Sequence, residues 1–299
     1  MTRREELHKM AEELRNNPPA KFNFPGLHDL DDDTTTEEFF IERNHKKIHF
    51  YMIRGKKIKE KVPYVINVHG GGMVRSHAER DLLFCKRMAL ATGFAVISLD
   101  YHLAPEYAYP YALDELETLI RYLAETGEQN QLKSKEYALC GQSSGGNLCF
   151  GVSQRLKNTA YRPLGLIGCY SVQDMATNPD NKPDECSQQR RDRYKFYFEC
   201  YLNESNPENY DISPIRLPIE ELRDLPQTMI FEGGLDELRT ENFNMFCNLY
   251  QANVKTSFHF YPQSGHGFII NQEGEWKEAQ HQLFEGVKDI LGNPGIFQG

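Results

Sequence analysis

The sequence has no long apolar run, no surplus of basic residues and no paired cysteines, and each absence excludes a class of protein. The mean hydropathy is -0.63, and no apolar stretch approaches the roughly 18 residues of a membrane-spanning helix. Because 34 basic residues face 43 acidic ones, we expect neither nucleic acid nor an anionic membrane as the main partner. The seven cysteines lack C-x-x-C spacing, and H-E-x-x-H motifs and Cys/His clusters are missing. We therefore expect reduced thiols, no metal site and no cofactor.

The remaining composition is that of an ordinary globular protein. Hydrophobic residues make up 39% and charged residues 26% of the 299 positions, which excludes wholesale disorder, collagen and coiled coil. The first residues carry charges where a signal peptide needs an apolar segment. We therefore expect no export signal and a cytoplasmic location.

Short apolar runs along the chain predict eight strands. They are Phe39–Glu42, Ile48–Ile53, Tyr64–Val68, Phe94–Leu99, Tyr137–Cys140, Leu164–Tyr170, Thr228–Phe231 and Ser257–Tyr261. From the third onward these runs are continuous rather than alternating, which is typical of parallel strands buried on both faces.

Amphipathic stripes predict helices before and between these strands. The stripes are Leu7/Met10/Ala11/Leu14, Leu113/Leu116/Ile120/Leu123, Leu148/Val152/Leu156, Phe243/Phe246/Cys247/Tyr250 and Leu283/Val287/Ile290/Leu291. Alternating strands and helices predict an α/β fold with a mostly parallel central sheet flanked by helices.

One long stretch interrupts this alternation. From residue 172 to 225 no clear strand is present, and Arg190–Tyr201 has a helical, aromatic composition. Long loops inside compact domains are usually functional and often act as lids. We therefore predict an N-terminal cap helix and linker at 1–38, a catalytic domain at 39–171 and 210–299, and a cap insertion at 172–209.

The predicted cap contains arginines that we expect to face solvent and aromatic residues that we expect to face a pocket. The arginines, namely Arg190, Arg191 and Arg193, are expected on the solvent face of the helix. The aromatic residues Phe196, Tyr197 and Phe198 are the candidates for a substrate-pocket wall.

The strongest chemical signal is a G-x-S-x-G motif at residues 141–145, centred on Ser143. It lies directly after a predicted strand and directly before a predicted helix, which is the context that a nucleophile elbow requires. Such a turn presents the hydroxyl of Ser143 at the carboxyl end of the strand, and the helix N-terminus stabilises a developing oxyanion. The alternative is a glycine-rich turn with an incidental serine.

A second signal is the sequence His69-Gly70-Gly71-Gly72 at the end of another predicted strand. Consecutive glycines let backbone N–H groups approach a carbonyl oxygen, as in the oxyanion loops of esterases. A phosphate cradle would need G-K-[ST] or G-x-G-x-x-G, and the following residues supply neither. A simple glycine turn remains the alternative.

A serine nucleophile needs a base and an orienting carboxylate, in the chain order Ser, Asp or Glu, His. Asp236 and His266 each follow a predicted strand downstream of Ser143. The competitors are Asp114, Glu237 and His259. Asp114 lies in a predicted helix before the nucleophile, Glu237 falls further into a helix start, and His259 lies within a strand.

Together these motifs resemble the hormone-sensitive-lipase-like branch of the α/β-hydrolase fold serine esterases. The resemblance extends from about residue 39 to 291 and includes D-Y-H-L-A-P-E at 100–106, Y-P-Y-A-L-D at 109–114 and D-I-S-P at 211–214. It implies an α/β-hydrolase fold with a helical cap. It also implies that Ser143 is the nucleophile, His266 the general base and acid, and Asp236 its orienting partner.

The resemblance further assigns the oxyanion hole to the backbone N–H groups of Gly71, Gly72 and Ser144, and a structural role near the nucleophile turn to Glu106. The sequence departs from the family at three positions. Gln142 and Ser144 replace an Asp and an Ala beside the nucleophile, and His102 replaces an Arg, so we expect a salt bridge to be absent.

The sequence thus predicts a cofactor-free serine carboxylesterase that acts on small, short-acyl esters, as a monomer or homodimer. An amidase or peptidase with the same three residues remains an alternative, as does a non-catalytic small-molecule-binding protein on the same fold. A reactive serine would distinguish the enzymes from the binding protein.

Overall fold

The computed structural model describes residues 2–16, 28–43 and 45–292. Its strands are β1 (Thr34–Arg43), β2 (Lys46–Gly55), β3 (Val62–Val68), β4 (Ala95–Asp100), β5 (Leu132–Gln142), β6 (Gly165–Cys169), β7 (Gln227–Gly233) and β8 (Thr256–Tyr261). Its α-helices are α1 (Arg3–Asn16), α2 (Glu79–Thr92), α3 (Tyr111–Thr126), α4 (Ser144–Leu156), α5 (Gln188–Leu202), α6 (Ile219–Leu222), α7 (Arg239–Gln251), α8 (Phe268–Asn271) and α9 (Trp276–Gly292). Within these ranges no helix combines the length and apolarity that crossing a bilayer demands.

All eight strands form one sheet in the order β1-β2-β4-β3-β5-β6-β7-β8. β1 and β2 pair antiparallel, as do β2 and β4, and the other neighbours are parallel. Every residue of β3 is buried, as expected for a central parallel strand covered by helices on both faces. The carboxyl ends of β5, β7 and β8 lie at the same edge, which is where open α/β sheets form their ligand sites.

The eight predicted strand segments all lie within or overlap the observed strands, and the α/β prediction is confirmed. The first strand begins at Thr34, which pairs with Gly55 and therefore belongs to the sheet rather than to the linker predicted at 1–38. Residues 17–27 of that predicted linker and 293–299 of the predicted catalytic domain lie outside the described residues.

The predicted apolar face of α7 is wrong for two of its four residues, since Phe246 packs against the core and Cys247 is half-buried. Phe243 is 50% and Tyr250 is 72% exposed, whereas Met245 and Leu249 are fully buried. The ring of Phe243 packs on Phe258 of the edge strand β8 with centroids 5.6 Å apart. Aromatic residues on this helix therefore cover the sheet edge, and smaller aliphatic residues fill the core.

The N-terminal helix α1 packs on the helix α5 of the predicted cap. Leu7 and Ala11 are buried there, and the guanidinium of Arg3 forms an ion pair with Glu199 of α5. The apolar face of α1 is therefore covered by tertiary contacts, as the short amphipathic stripe requires.

Candidate active site

Ser143 lies at the turn between β5 and α4. Its backbone angles are φ 52° and ψ -117°, a conformation that a side-chain-bearing residue adopts only when its surroundings enforce it. A Cβ at Gly145 would collide with the carbonyl oxygen of Val68, so only glycine lets α4 approach β3 this closely. The turn brings Ser143 to the wall of a cavity at the carboxyl edge of the sheet.

Hydrogen bonds join Ser143 to His266 and His266 to Asp236. His266 Nε2 lies 3.0 Å from Ser143 Oγ, and His266 Nδ1 lies 2.8 Å from Asp236 Oδ2. The other carboxylate oxygen of Asp236 accepts the N–H of Leu238 at 2.9 Å. A proton on Nδ1, donated to Asp236, leaves the lone pair of Nε2 directed at the serine hydroxyl.

The charge of Asp236 also controls the protonation of His266. Burial alone would lower the pKa of His266, but the charge of Asp236 and the hydrogen bond to it outweigh burial. The net effect raises the pKa above its ordinary value of 6.5. The imidazole is therefore a stronger base than free histidine.

Glu237, the competing carboxylate, has other partners. It forms an ion pair with Arg190 and accepts the hydroxyl of Tyr194 at 2.8 Å. Burial alone would raise the pKa of Glu237, but the positive charges of His266 and Arg190 and the Tyr194 hydroxyl lower it. Glu237 therefore stays ionised and links α5 to the loop after β7.

Glu232, at the end of β7, is a carboxyl group that sequence patterns did not single out. It is fully buried, and its Oε1 accepts the N–H of Gly233 at 2.8 Å. Burial, reinforced by the charge of Asp236, raises the pKa of Glu232 well above its ordinary value. The raised pKa favours the uncharged form of Glu232, which avoids a second negative charge beside Asp236.

The glycine loop at 69–72 lies against the nucleophile turn, but one of its amides is engaged. The N–H of Gly72 donates to Ser144 Oγ at 2.9 Å, and the N–H of Met73 lies 3.3 Å from the same oxygen. A Cβ at Gly72 would clash with the ring of Tyr197 on α5. The N–H of Gly72, predicted as an oxyanion donor, is therefore engaged here by the Ser144 hydroxyl, a group that the family's usual Ala at this position would lack.

The other two departures from the family also form specific contacts. The Nε2 of Gln142 donates to Asn67 Oδ1 at 2.9 Å inside the sheet. His102 keeps a polar contact where a lost salt bridge was expected, because its Nδ1 lies 2.6 Å from Glu115 Oε1. A protonated His102 completes an ion pair there.

Glu106, predicted to have a structural role, has its partners in the N-terminal helix. Its two carboxylate oxygens each accept a hydrogen bond of 2.9 Å from Arg15 of α1. Arg15 also donates to the carbonyl oxygens of Val74 and Ala104. Glu106 therefore helps to attach the N-terminal helix, and in the described residues no hydrogen bond joins it to the nucleophile turn.

Ser143 and His266 line a cavity of about 330 Å³. Most of its aromatic wall comes from α5, which contributes Tyr194, Tyr197 and Phe198, and Tyr170 after β6 completes it. Phe196 does not line the cavity and packs in the hydrophobic core instead. Positions 194, 197 and 198 share a helical face, whereas 196 points to another side of the helix.

The same helical spacing places two of the predicted solvent-facing arginines in the cavity wall. Arg190 and Arg193 lie on the face that carries Tyr194 and Tyr197, and both line the cavity. Arg191 points elsewhere and donates to the carbonyl oxygens of residues 179 and 184. Arg190 and Arg193 are exposed to solvent, as predicted, and they also border the cavity, whereas Arg191 is half-buried.

In the described ranges, one group of side chains has the residue types and spacing that could bind a metal ion. The donor atoms of Asp236, Glu237 and His266 lie within 4.8 Å of one another. Asp236 already binds His266, and Glu237 already binds Arg190 and Tyr194. These donors are thus engaged by protein partners, and we assign no metal to them.

Comparison with known proteins identifies the family. A family model described as alpha/beta hydrolase fold matches residues 65–270. Versiconal hemiacetal acetate esterase of Dothistroma septosporum is 23% identical over 265 residues, covering 82% of this chain and 78% of that protein. A gibberellin receptor of Arabidopsis thaliana is 26% identical over 234 residues, covering 72% of this chain and 65% of that protein.

The fold comparison agrees. The crystal structure of a thermostable esterase from Pseudomonas putida superposes with a TM-score of 0.79 and 21% identity, covering 96% of this chain and 97% of that one. The family match spans more than half of the chain and contains the serine turn and the glycine loop. It also contains His266, which is hydrogen-bonded to Ser143, and Asp236, which is hydrogen-bonded to His266. The chain belongs to the hormone-sensitive-lipase-like branch of the α/β-hydrolase family.

Proposed function

We propose that this protein is a carboxylic ester hydrolase that works through an acyl-enzyme on Ser143. The observation that carries the proposal is the hydrogen-bonded series Ser143–His266–Asp236, with Ser143 and His266 facing a cavity of about 330 Å³. Relatives named as esterases add support at the level of the family.

In the first half of the reaction, Ser143 Oγ attacks the ester carbonyl carbon while His266 Nε2 takes the hydroxyl proton. The negative charge of Asp236 stabilises the imidazolium that forms. The tetrahedral intermediate collapses, the alcohol leaves with the proton from His266, and the acyl group stays on Ser143. In the second half, His266 deprotonates a water that attacks the acyl carbon, and the acid leaves as Ser143 regains its proton.

The oxyanion needs preorganised donors, and we assign them to the backbone N–H groups of Gly71 and Ser144. Ser144 is the first residue of α4, so its amide adds the positive end of the helix dipole. Gly72 can act as a third donor only when its N–H leaves Ser144 Oγ.

The size of the cavity and its aromatic wall favour short acyl groups, of about two to eight carbons. We expect a higher kcat/KM for p-nitrophenyl acetate or butyrate than for the palmitate, with no rise in rate at the micelle threshold. Phe198→Leu should change the chain-length preference, because each buried CH₂ contributes about 0.8 kcal/mol and the effect accumulates with length. Phe196→Leu is the matched control, since Phe196 lies outside the cavity wall.

That panel also tests the reaction class. Matching p-nitroanilides separate an esterase from an amidase, and a fluorophosphonate probe separates both from a non-catalytic binding protein. A preference for long chains, or faster anilide than ester hydrolysis, would contradict the proposal.

Activity is expected to rise with pH through a single ionisation of His266. Only the neutral imidazole accepts the proton of Ser143, and the pKa of His266 is raised above 6.5. The rate should therefore fall as the pH drops through that raised pKa. The measurement is kcat/KM for p-nitrophenyl acetate from about pH 5 to pH 9, which reports the free enzyme. A midpoint below the ordinary histidine value would contradict the assignment.

A further inference from the structure

The cavity at Ser143 is unusually cationic for a chain of net charge -9. Its wall contains four arginines, Arg75, Arg80, Arg190 and Arg193, but only two carboxylates, Asp81 and Glu237. A cleft lined with one sign of charge concentrates ligands of the opposite sign.

Neither carboxylate in the wall forms an ion pair with Arg75 or Arg193. Glu237 is engaged by Arg190 and Tyr194. Asp81 accepts the N–H of Ala78 at 2.8 Å in the first turn of α2. The positive charge contributed by Arg75 and Arg193 is therefore left without a carboxylate partner in the part of the chain that the structure describes.

Arg75 is held in place by the cap. Its Nε donates to the hydroxyl of Tyr197 at 2.9 Å, and the ring of Tyr197 lies against Gly72 of the glycine loop. Its backbone N–H donates to the carbonyl of Gly71 at 3.0 Å. The Nη groups of Arg75 form no hydrogen bond with the described residues, so a guanidinium fixed beside the glycine loop has donors to spare.

Arg193 adds a second cation on the same wall. It lies one turn before Tyr197 on α5, so both project from the same helical face. It forms no ion pair with the described residues and is solvent-exposed. Two guanidinium groups, one held by Tyr197 and one exposed, can bind a carboxylate with charge-assisted hydrogen bonds.

We infer that Arg75 and Arg193 form an anion subsite of the cavity, and that the preferred substrates are esters carrying a carboxylate group remote from the reacting carbonyl. This inference rests on the proposed esterase function. It names the substrate class that the cavity selects.

The test compares each anionic ester with a neutral ester of the same shape. One pair places the carboxylate on the acyl side: the p-nitrophenyl monoester of adipic acid against that of adipic acid monoamide. The other places it on the alcohol side: p-acetoxybenzoate against p-acetoxybenzamide. We expect the wild-type kcat/KM to favour the anion by about two- to fivefold in at least one pair, as for partly exposed ion pairs. That preference should shrink as salt rises from about 0.01 M to 0.5 M.

Arg75→Gln and Arg193→Gln should each reduce the anionic-to-neutral ratio, and the double variant should abolish it. The neutral ester measured on the same preparation reports folding and basal catalysis. Arg223→Gln is the matched control, because Arg223 is exposed and lies outside the cavity. It removes the same charge and should leave the ratio unchanged.

A binding measurement keeps the two proposals separate. Calorimetry with Ser143→Ala should detect p-acetoxybenzoate or the adipate monoester, and adding Arg75→Gln and Arg193→Gln should abolish that binding. If the arginine substitutions abolish binding but the wild-type protein does not hydrolyse p-nitrophenyl acetate, the esterase proposal is overturned and the anion subsite is kept. A wild-type anionic-to-neutral ratio near one in both pairs, or a ratio and binding that the arginine variants do not change, would overturn the anion subsite.

Discussion

Replacing Ser143 with alanine is expected to lower kcat by about 10⁶-fold while leaving the fold intact, the loss observed when a Ser-His-Asp enzyme loses its nucleophile. Ser143 Oγ lies 3.0 Å from His266 Nε2, and no acyl-enzyme can form without it. The hydroxyl is small, and the backbone hydrogen bonds of the turn remain, such as that from the Ser143 N–H to the Cys169 carbonyl at 2.9 Å. The measurement is kcat for p-nitrophenyl acetate, with circular dichroism as the check on folding.

Cys140→Ala provides the matched control. Cys140 lies in β5, three positions before Ser143, and is fully buried. Its pKa is raised well above the usual value by the hydrogen bond to Cys169 and by burial, so it is no nucleophile. This variant should retain nearly full activity. Ester hydrolysis close to the wild-type rate in Ser143→Ala would disprove the assignment.

Asp236→Asn is expected to lower kcat by about 10⁴-fold. The amide would remove the charge that stabilises the His266 imidazolium, and its NH₂ group would favour the tautomer with the proton on the wrong nitrogen. The change is nearly isosteric, so the contact between His266 Nδ1 and residue 236 at 2.8 Å keeps its geometry while its chemistry changes. Steady-state kinetics at a pH above the His266 ionisation measures the effect.

Glu237→Gln is the matched control for the neighbouring carboxylate. Glu237 binds Arg190 and Tyr194 rather than an imidazole nitrogen. Losing its charge should weaken the contact between α5 and the loop after β7, with a much smaller effect on kcat than Asp236→Asn. If Glu237→Gln lowered kcat more than Asp236→Asn, then Glu237 rather than Asp236 would be the carboxylate that orients His266.

Local sequence was sufficient to predict the strands and the residues that meet at the carboxyl edge of the sheet. Continuous apolar runs mark buried parallel strands, and the chain after such a strand must emerge at the same edge as its neighbours. Of the residues singled out on that basis, Ser143 and Asp236 each lie within hydrogen-bond distance of His266. Here short-range patterns and the topology of parallel strands are enough.

The environment of each helical face could not be predicted from the sequence in the same way. The stripe containing Phe243 and Tyr250 was correctly predicted as a helix but lies largely outside the core. Arg190 and Arg193 are exposed to solvent, as predicted, but they also line the cavity beside Tyr194. Periodicity identifies which residues share a helical face, but not what the face packs against.

Contacts between residues that are far apart in the chain were decided by the tertiary structure alone. The sequence by itself determined the α/β architecture, the serine turn and the glycine loop, because each depends on residues adjacent in the chain. Only the tertiary structure brought Glu106 to Arg15, the N–H of Gly72 to the Ser144 hydroxyl, and Arg75 to Tyr197. These partners come from separate segments, and their meeting depends on how α1, α4 and α5 pack around the sheet, which no local pattern encodes.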